Sequence, residues 1–472
     1  MSATRRSFLG SLAATPFAFG ACCGLGRAQP RRVAASDRIQ VAIIGCGTQA
    51  YGNVNQLLQD PRARIAVVCD PVHDARTGYG YDAKKPGGCV PFKAKVDDWY
   101  KDTFCRMVAD WRDVVADPSI DAVVICTPDH WHAIISIAAM RAGKHVYCQK
   151  PLTVSIEEGI VMTRVARECG VTFQVGNQGR SNPARRTASE IIRNNVLGRT
   201  KSCRVGLPGG SGGKWGHSLD TTLGAIPDYF TGEMWNLWQG PAEHWPNNAF
   251  IPGIHEPMAW RWNRRYGSGM IADFAPHEVD TMHWAMGLER TGPVAVSNMV
   301  AGEFQENREV FSWAGAFDFD LEYATGFTAH VMSMRPGVPR GLLYQCEEGT
   351  LGLYSSKIEI LDKNGKDITK QMLRDWKAEY RKPDSKLTRL YAPKDGHSHE
   401  SDFLDGIYEA RQVCSECEFG HRTNTTSLLA NLCITLGISG LKWNPKEEKF
   451  VDPALNRHLS RSYHNGWKLE NS

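Results

Sequence analysis

The chain has 472 residues, a formal charge of +4, 42% hydrophobic and 22% charged residues, which is ordinary for a globular protein and long enough for two domains with separate cores. Arg5, Arg6, Arg27, Arg31 and Arg32 fall within the first 35 positions with no acidic residue, so the remainder carries a formal charge of −1, which excludes the basic surface that nucleic-acid binding needs. Beyond that leader no apolar run is long enough to span a bilayer.

The first element is the leader itself. Thr4-Arg5-Arg6-Ser7-Phe8-Leu9 opens it, Leu12 to Ala21 forms an apolar centre, and Gly26-Arg27-Ala28 or Val33-Ala34-Ala35 offers a small-residue exit. This pattern reads as a twin-arginine signal over residues 1–35, handled by the twin-arginine export machinery and giving a periplasmic or otherwise exported product. Cys22 is a poor lipid-anchor site, so a soluble product is expected.

Arg38 to Ile44 reads as a buried strand, Ala50 to Leu58 as a helix, and Arg64 to Cys69 as a second buried strand ending in Asp70. Residues 71–111 lack a period and read as an insertion with one helix, about Val96 to Ala109. Ala122 to Cys126 is a strand, His130 to Ala142 a helix, Lys144 to Cys148 a strand, Ser155 to Cys169 a helix, and Thr172 to Val175 a strand. Alternation of this kind predicts a parallel sheet covered on both faces, over a domain spanning 36–180. Pro183 to Asn195 (helix) and Lys201 to Val205 (strand) open a second unit, 181–440. Its stretch from Val294 to Ile360 alternates with period two and reads as an antiparallel sheet. Two late helices, about Ser398 to Arg411 and Thr425 to Ser439, are expected to pack back on the first domain, as is a tail, 441–472. The fold class is therefore α/β: a doubly wound Rossmann sheet plus an α/β domain with an open, mostly antiparallel sheet.

Gly45-Cys46-Gly47-Thr48-Gln49-Ala50 follows the first strand and opens the first helix. Glycine at 45 and 47 permits a tight turn and close approach to a pyrophosphate, and the helix after Thr48 presents its N–H groups to phosphate oxygens. Asp70 lies 20 residues after Ala50, the spacing of a carboxylate that accepts hydrogen bonds from the adenosine ribose. A carboxylate there repels a 2′-phosphate, so NAD is favoured over NADP, although Arg76 lies close by in sequence.

Thr127-Pro128-Asp129-His130-Trp131-His132, Ala142 to Pro151 with its Gln149-Lys150-Pro151, Gly176 to Pro183, Gly269 to Asp280, and Leu441 to Pro445 with Tyr463 together resemble the Gfo/Idh/MocA family of sugar and inositol oxidoreductases. The resemblance implies that Thr127, Pro128 and His132 lie along the nicotinamide end, that Gln178 also serves the cofactor, and that Lys150, Asp273 and His277 form the catalytic group. Two departures stand out: Gln149 where the family has glutamate, and Ala275 where it has glycine. Lys150-Pro151 is a candidate cis bond.

The expected chemistry is oxidation of a secondary hydroxyl of a sugar or polyol. His277 suits the base, because imidazole titrates near neutrality. Asp273, four residues earlier, shares its helix face and either orients His277 or binds substrate. Lys150 stabilises the developing alkoxide. Arg180, Trp262 and Arg264 are further substrate candidates with Lys150, Asp273 and His277; Arg261 and Arg265 stand beside them. Trp235, Trp238, Trp245, Trp260 and Trp262 fit a sugar platform or a core equally. A Gly209–Gly213 loop with His217 is a candidate lid.

Two alternative readings remain at this point. One is redox-neutral glycoside cleavage through a transient 3-keto sugar; the other is a non-catalytic sugar-binding relative. Export favours a tightly held cofactor with self-contained turnover. Cys89 and Cys105 are candidates to pair, Cys414 and Cys417 read as a loop disulfide or free thiols, and no metal site is expected. A homodimer or homotetramer is the expected assembly.

Overall fold

The computed structural model describes residues 37–75, 85–210, 218–230, 233–255 and 258–469. The leader, Arg76 and the loop from Ser211 to His217 lie outside the described residues. Among the described residues, no helix is long and apolar enough to cross a membrane.

Six strands form the first sheet: β1 (Ile39–Ile44), β2 (Ala63–Cys69), β3 (Arg106–Val108), β4 (Ala122–Ile125), β5 (His145–Gln149) and β6 (Phe173–Gly176). Their order is β3-β2-β1-β4-β5-β6 and every pairing is parallel. β1, β2 and β4 are buried runs of Ile, Val and Ala, as strands covered by helices on both faces must be. The order reverses at β1, and the crevice there, at the carboxyl ends of β1 and β4, is where such folds bind ligands.

Among the described residues, 85–111 belong to this sheet's unit rather than to an insertion. Their helix is Cys89–Tyr100, earlier than expected, with Pro91 in its first turn, where a missing N–H costs nothing, and Lys101 ending it at φ +57°. β3 then adds the edge strand.

The second sheet has nine strands: β7 (Thr200–Leu207), β8 (Ala295–Gly302), β9 (Ala316–Glu322), β10 (Thr328–Ser333), β11 (Gly341–Cys346), β12 (Gly349–Tyr354), β13 (Lys357–Asp362), β14 (Leu441–Asn444) and β15 (Lys449–Phe450). The order is β13-β12-β11-β7-β10-β9-β8-β14-β15, antiparallel except where β7 meets β10. The helix Gly269–Met286 packs on this sheet and carries Asp273 and His277.

The tail divides its allegiance. Residues 441–450 extend the second sheet through β14 and β8. Only the stretch after them returns to the first domain: Arg461 Nε and Tyr463 Oη both reach Glu158 Oε1, at 2.8 and 3.1 Å, and Trp467 packs on Trp111 and Trp131. The helix His399–Glu409 packs on the helix Thr48–Gln59 and on β6, with Phe403 edge-on to Tyr147, and the helix Cys417–Leu436 lies between the domains. All twelve described cysteines are free, so Cys89 and Cys105 do not pair; the Cys89 thiol instead donates to the Asp70 and Val108 carbonyls.

Candidate active site

Gly45 adopts φ +92°, and a Cβ there would sit 2.6 Å from both the Cys126 carbonyl carbon and the Thr127 nitrogen. Backbone on backbone leaves no room for a side chain, so the turn is glycine by necessity. Gly47 caps the following helix, Thr48–Gln59, which has no acidic residue in its first turn. Asp70 Oδ2 accepts the Cys46 N–H at 2.6 Å and Oδ1 the Val72 N–H at 2.8 Å. The carboxyl thereby welds β2 to the glycine turn. Burial pushes it up to about 6, against the pull of those two donors.

A cleft opens from this turn. Gly45, Gly47, Thr48, Gln49, Asp70, Thr127, Pro128 and Lys150 all line it, and Trp238, Met258, Trp260 and Arg261 close it from the second domain. Two buried polar atoms among its lining residues, Thr127 Oγ1 and Gln149 Oε1, have no protein partner. Orphaned polar atoms, a side-chain-free turn and an uncapped helix start fit a polar, phosphate-bearing ligand of dinucleotide size.

His132 and Gln178 do not line the cleft. The His132 ring spans the Pro151 carbonyl at 2.8 Å and the Thr127 carbonyl at 3.0 Å, and burial pushes its pKa down to about 4. As a neutral ring it has one N–H, which it donates to one of these two carbonyls, and it fills the space between the Thr127 loop and the residue after Lys150. Gln178 donates to the Tyr147 hydroxyl, which belongs to a buried network with Glu400, Asn53 and Gln149.

The two domains meet at Lys150. Its Nζ lies 2.8 Å from Asp273 Oδ1 and 3.0 Å from the Asp273 carbonyl, and Arg261 Nε approaches the same Oδ1 at 3.3 Å. Burial alone would raise the Asp273 carboxyl, but Lys150 and Arg261 outweigh it and hold it well below the usual carboxylate range. Asp273 is thus engaged by cations and makes no hydrogen bond to His277. His277 is half-buried beside Phe274, and burial with Lys150 and Arg340 keeps its ring far below an ordinary imidazole pKa. Neither Asp273 nor His277 lines the cleft; both stand behind Lys150.

Three sequence candidates belong elsewhere. Arg180 is 2% exposed and forks onto Asp280 at 2.7 and 2.8 Å, so it holds helices together rather than facing substrate. Trp262 is 1% exposed, its indole donating to the Gly210 carbonyl. Arg264 is exposed and outside the cleft. Of the tryptophan cluster, Trp235, Trp245 and Trp262 are core, and only Trp238 and Trp260 reach the cleft wall.

Sequence reasoning passed over Asp129. It lines the cleft beside Lys150 and is 3% exposed. Its one signal was a carboxylate placed directly after the strand-exit Thr127-Pro128.

Residues 39–177 match the model of the Gfo/Idh/MocA oxidoreductase family, NAD-binding Rossmann fold. The chain is 29% identical over 185 residues to levoglucosan dehydrogenase of Pseudarthrobacter phenanthrenivorans, a match covering 39% of this chain and 37% of that one. It is 29% identical over 163 residues to scyllo-inositol 2-dehydrogenase (NAD(+)) of Bacillus subtilis, covering 34% and 42%. The matches span less than half the length of these relatives. A solved levoglucosan dehydrogenase complex with NADH and levoglucosan superposes with a TM-score of 0.55 at 18% identity, covering 86% of this chain and 99% of that one, which shows a shared fold.

Proposed function

We propose that this chain, whose first domain belongs to the Gfo/Idh/MocA family of NAD-binding oxidoreductases, interconverts a secondary hydroxyl and a ketone on a sugar or polyol. The observation that carries the reading is the Lys150–Asp273 contact, which joins the two domains at a lysine of the cleft wall. The relatives named for sugar and inositol dehydrogenation support the substrate class.

Bound NAD supplies the hydride acceptor. Gly45, Gly47 and the start of the helix Thr48–Gln59 would hold its pyrophosphate, and Asp70 would hold its adenosine ribose. Thr127 Oγ1 and Gln149 Oε1 offer unused hydrogen-bonding capacity toward the nicotinamide half. Asp273 and Arg261 fix the direction of the Lys150 ammonium, which holds the substrate oxygen and stabilises the charge developing there. His277 stands behind Lys150 in its neutral form and would reach the hydroxyl proton only through Lys150 or a water. Trp238 and Trp260 keep one wall apolar and exclude water.

The leader adds a further reading: export of the folded protein with its cofactor inside, so that NAD(H) co-purifies and survives dialysis. The main test is single-turnover absorbance of the reduced nicotinamide with a panel of sugars, polyols and glycosides. Persistent reduction by a free sugar or polyol, lost in Lys150→Met, supports the proposal. Release of an aglycone with no net reduction, or full turnover in Lys150→Met, sinks it.

A further inference from the structure

Glu400 is the carboxyl of the buried network behind the cleft wall, and the chemistry above gives it no task. It stands in the first turn of the helix His399–Glu409 and does not line the cleft. Its Oε1 accepts the Asn53 Nδ2–H at 2.9 Å and the Tyr147 hydroxyl at 3.3 Å. Asn53 Oδ1 in turn accepts Gln149 Nε2–H at 2.9 Å and the Cys126 thiol at 3.5 Å. Gln149 is the cleft-lining residue next to Lys150. Asn53, Tyr147, Gln149 and Glu400 are all buried.

These bonds have only one consistent direction. A carboxylate offers acceptors alone, whereas an amide has one end of each kind. Glu400 takes the NH2 of Asn53, which leaves the Asn53 oxygen facing Gln149. Gln149 answers with its own NH2, and its Oε1 is left without a protein partner. Gly176 confines the same amide: a Cβ there would lie 2.7 Å from both its Cδ and its Oε1. Burial raises the Glu400 carboxyl, and the Tyr147 and Asn53 donors offset part of the rise. A charge on the helix His399–Glu409 thus decides which end of a cleft amide stays unsatisfied.

We propose that Glu400 is a positioning residue for the nicotinamide half of the cofactor: through Asn53 it holds the Gln149 amide so that the oxygen, not the NH2, is left for a donor of the ligand, the carboxamide N–H or a ribose hydroxyl. This rests on the cleft being an NAD site. The relay makes Gln149→Glu a disruptive change. A carboxylate at 149 meets the Asn53 oxygen, and Asn53 cannot give its one NH2 to carboxylates on both sides. Exchanging the two groups removes the conflict. With glutamine at 400 and glutamate at 149 the relay runs backwards: position 400 donates to Asn53 Oδ1, Asn53 donates to position 149, and the second oxygen there remains an acceptor for the ligand.

The experiment is a double-mutant cycle on the full chain: wild type, Gln149→Glu, Glu400→Gln and the two together, each titrated by calorimetry with NAD and with ADP-ribose, which lacks the nicotinamide. Each single change should weaken NAD binding by about 2–12-fold, the worth of one net hydrogen bond. The double variant should return to within about twofold of wild type, and ADP-ribose should bind all four proteins within the same margin. Where Gln149→Glu alone does not fold, a double variant that folds and binds NAD supports the relay in the same way. A double variant that does not fold, or that binds NAD no better than Gln149→Glu, overturns the proposal. So does a loss of ADP-ribose affinity in step with NAD, because that is the mark of a merely structural role. If the wild type binds neither nucleotide, the NAD reading itself fails and takes the proposal with it.

Discussion

Replacing Gly45 by alanine should damage the first domain at the turn that shapes the cleft. At φ +92° an alanine is strained by ~1–2 kcal/mol. Its Cβ would lie 2.6 Å from two backbone atoms at the exit of β4, about 1 Å inside ordinary contact. Neither atom belongs to a flexible side chain: Cys126 is anchored through its N–H to the Ile44 carbonyl at 2.7 Å. Overpacking of this sort costs ~1–3 kcal/mol, so the total is ~2–5 kcal/mol, a fall in Tm on the order of 5–15 °C. The Thr127 loop must also move, and with it the cleft wall. Gly52 is the control. It sits seven residues on, in the helix Thr48–Gln59, with nothing within 4 Å of the Cβ that alanine would add, so Gly52→Ala should stabilise by ~0.5–1 kcal/mol. Thermal unfolding by circular dichroism, with and without NAD, gives both numbers. A Gly45→Ala protein that melts with the wild type and binds NAD equally well refutes the reasoning.

Other expectations follow from the same geometry. Asp70 titrates higher in the folded protein than in an unfolded chain, so the folded state holds the extra proton between about pH 4 and 6, and raising the pH through that window should lower the stability of the nucleotide-free protein. The ribose contact needs the carboxylate, so NAD affinity should rise over the same window, and Asp70→Asn should flatten both profiles in fluorescence titrations and urea melts. Arg180→Met strands the buried Asp280 and should cost ~3–5 kcal/mol in urea unfolding, while leaving KM unchanged in whatever protein still folds; a raised KM at unchanged stability would restore Arg180 to the substrate. Reductant should leave Tm where it is, because the described thiols are unpaired.

What the sequence discloses, and what it hides, divides by range. β1, β2 and β4 are legible because a strand buried on both faces is a continuous apolar run. The glycine turn is legible because backbone strain is a local property. β3 is not: three residues at a sheet edge, Arg106 and Met107 exposed, carry no period. Residues 441–450 read as tail because nothing in their spelling names β8 as partner. Arg180 looks like a substrate residue until Asp280, 100 positions away, is seen to hold it. Asp129 escapes for the opposite reason. Its peculiarity is burial, at 3% exposed, and burial comes from packing that the local sequence does not spell.

Trp467 meets Trp131 edge-on and Trp111 at a tilt, and so ties the end of the described chain to the first domain. Those two partners are part of the cleft's own wall, so the chamber is braced by a ring that lies far along the chain and outside the cleft itself. Trp467→Ala should therefore loosen nucleotide binding without removing any group that touches the nucleotide.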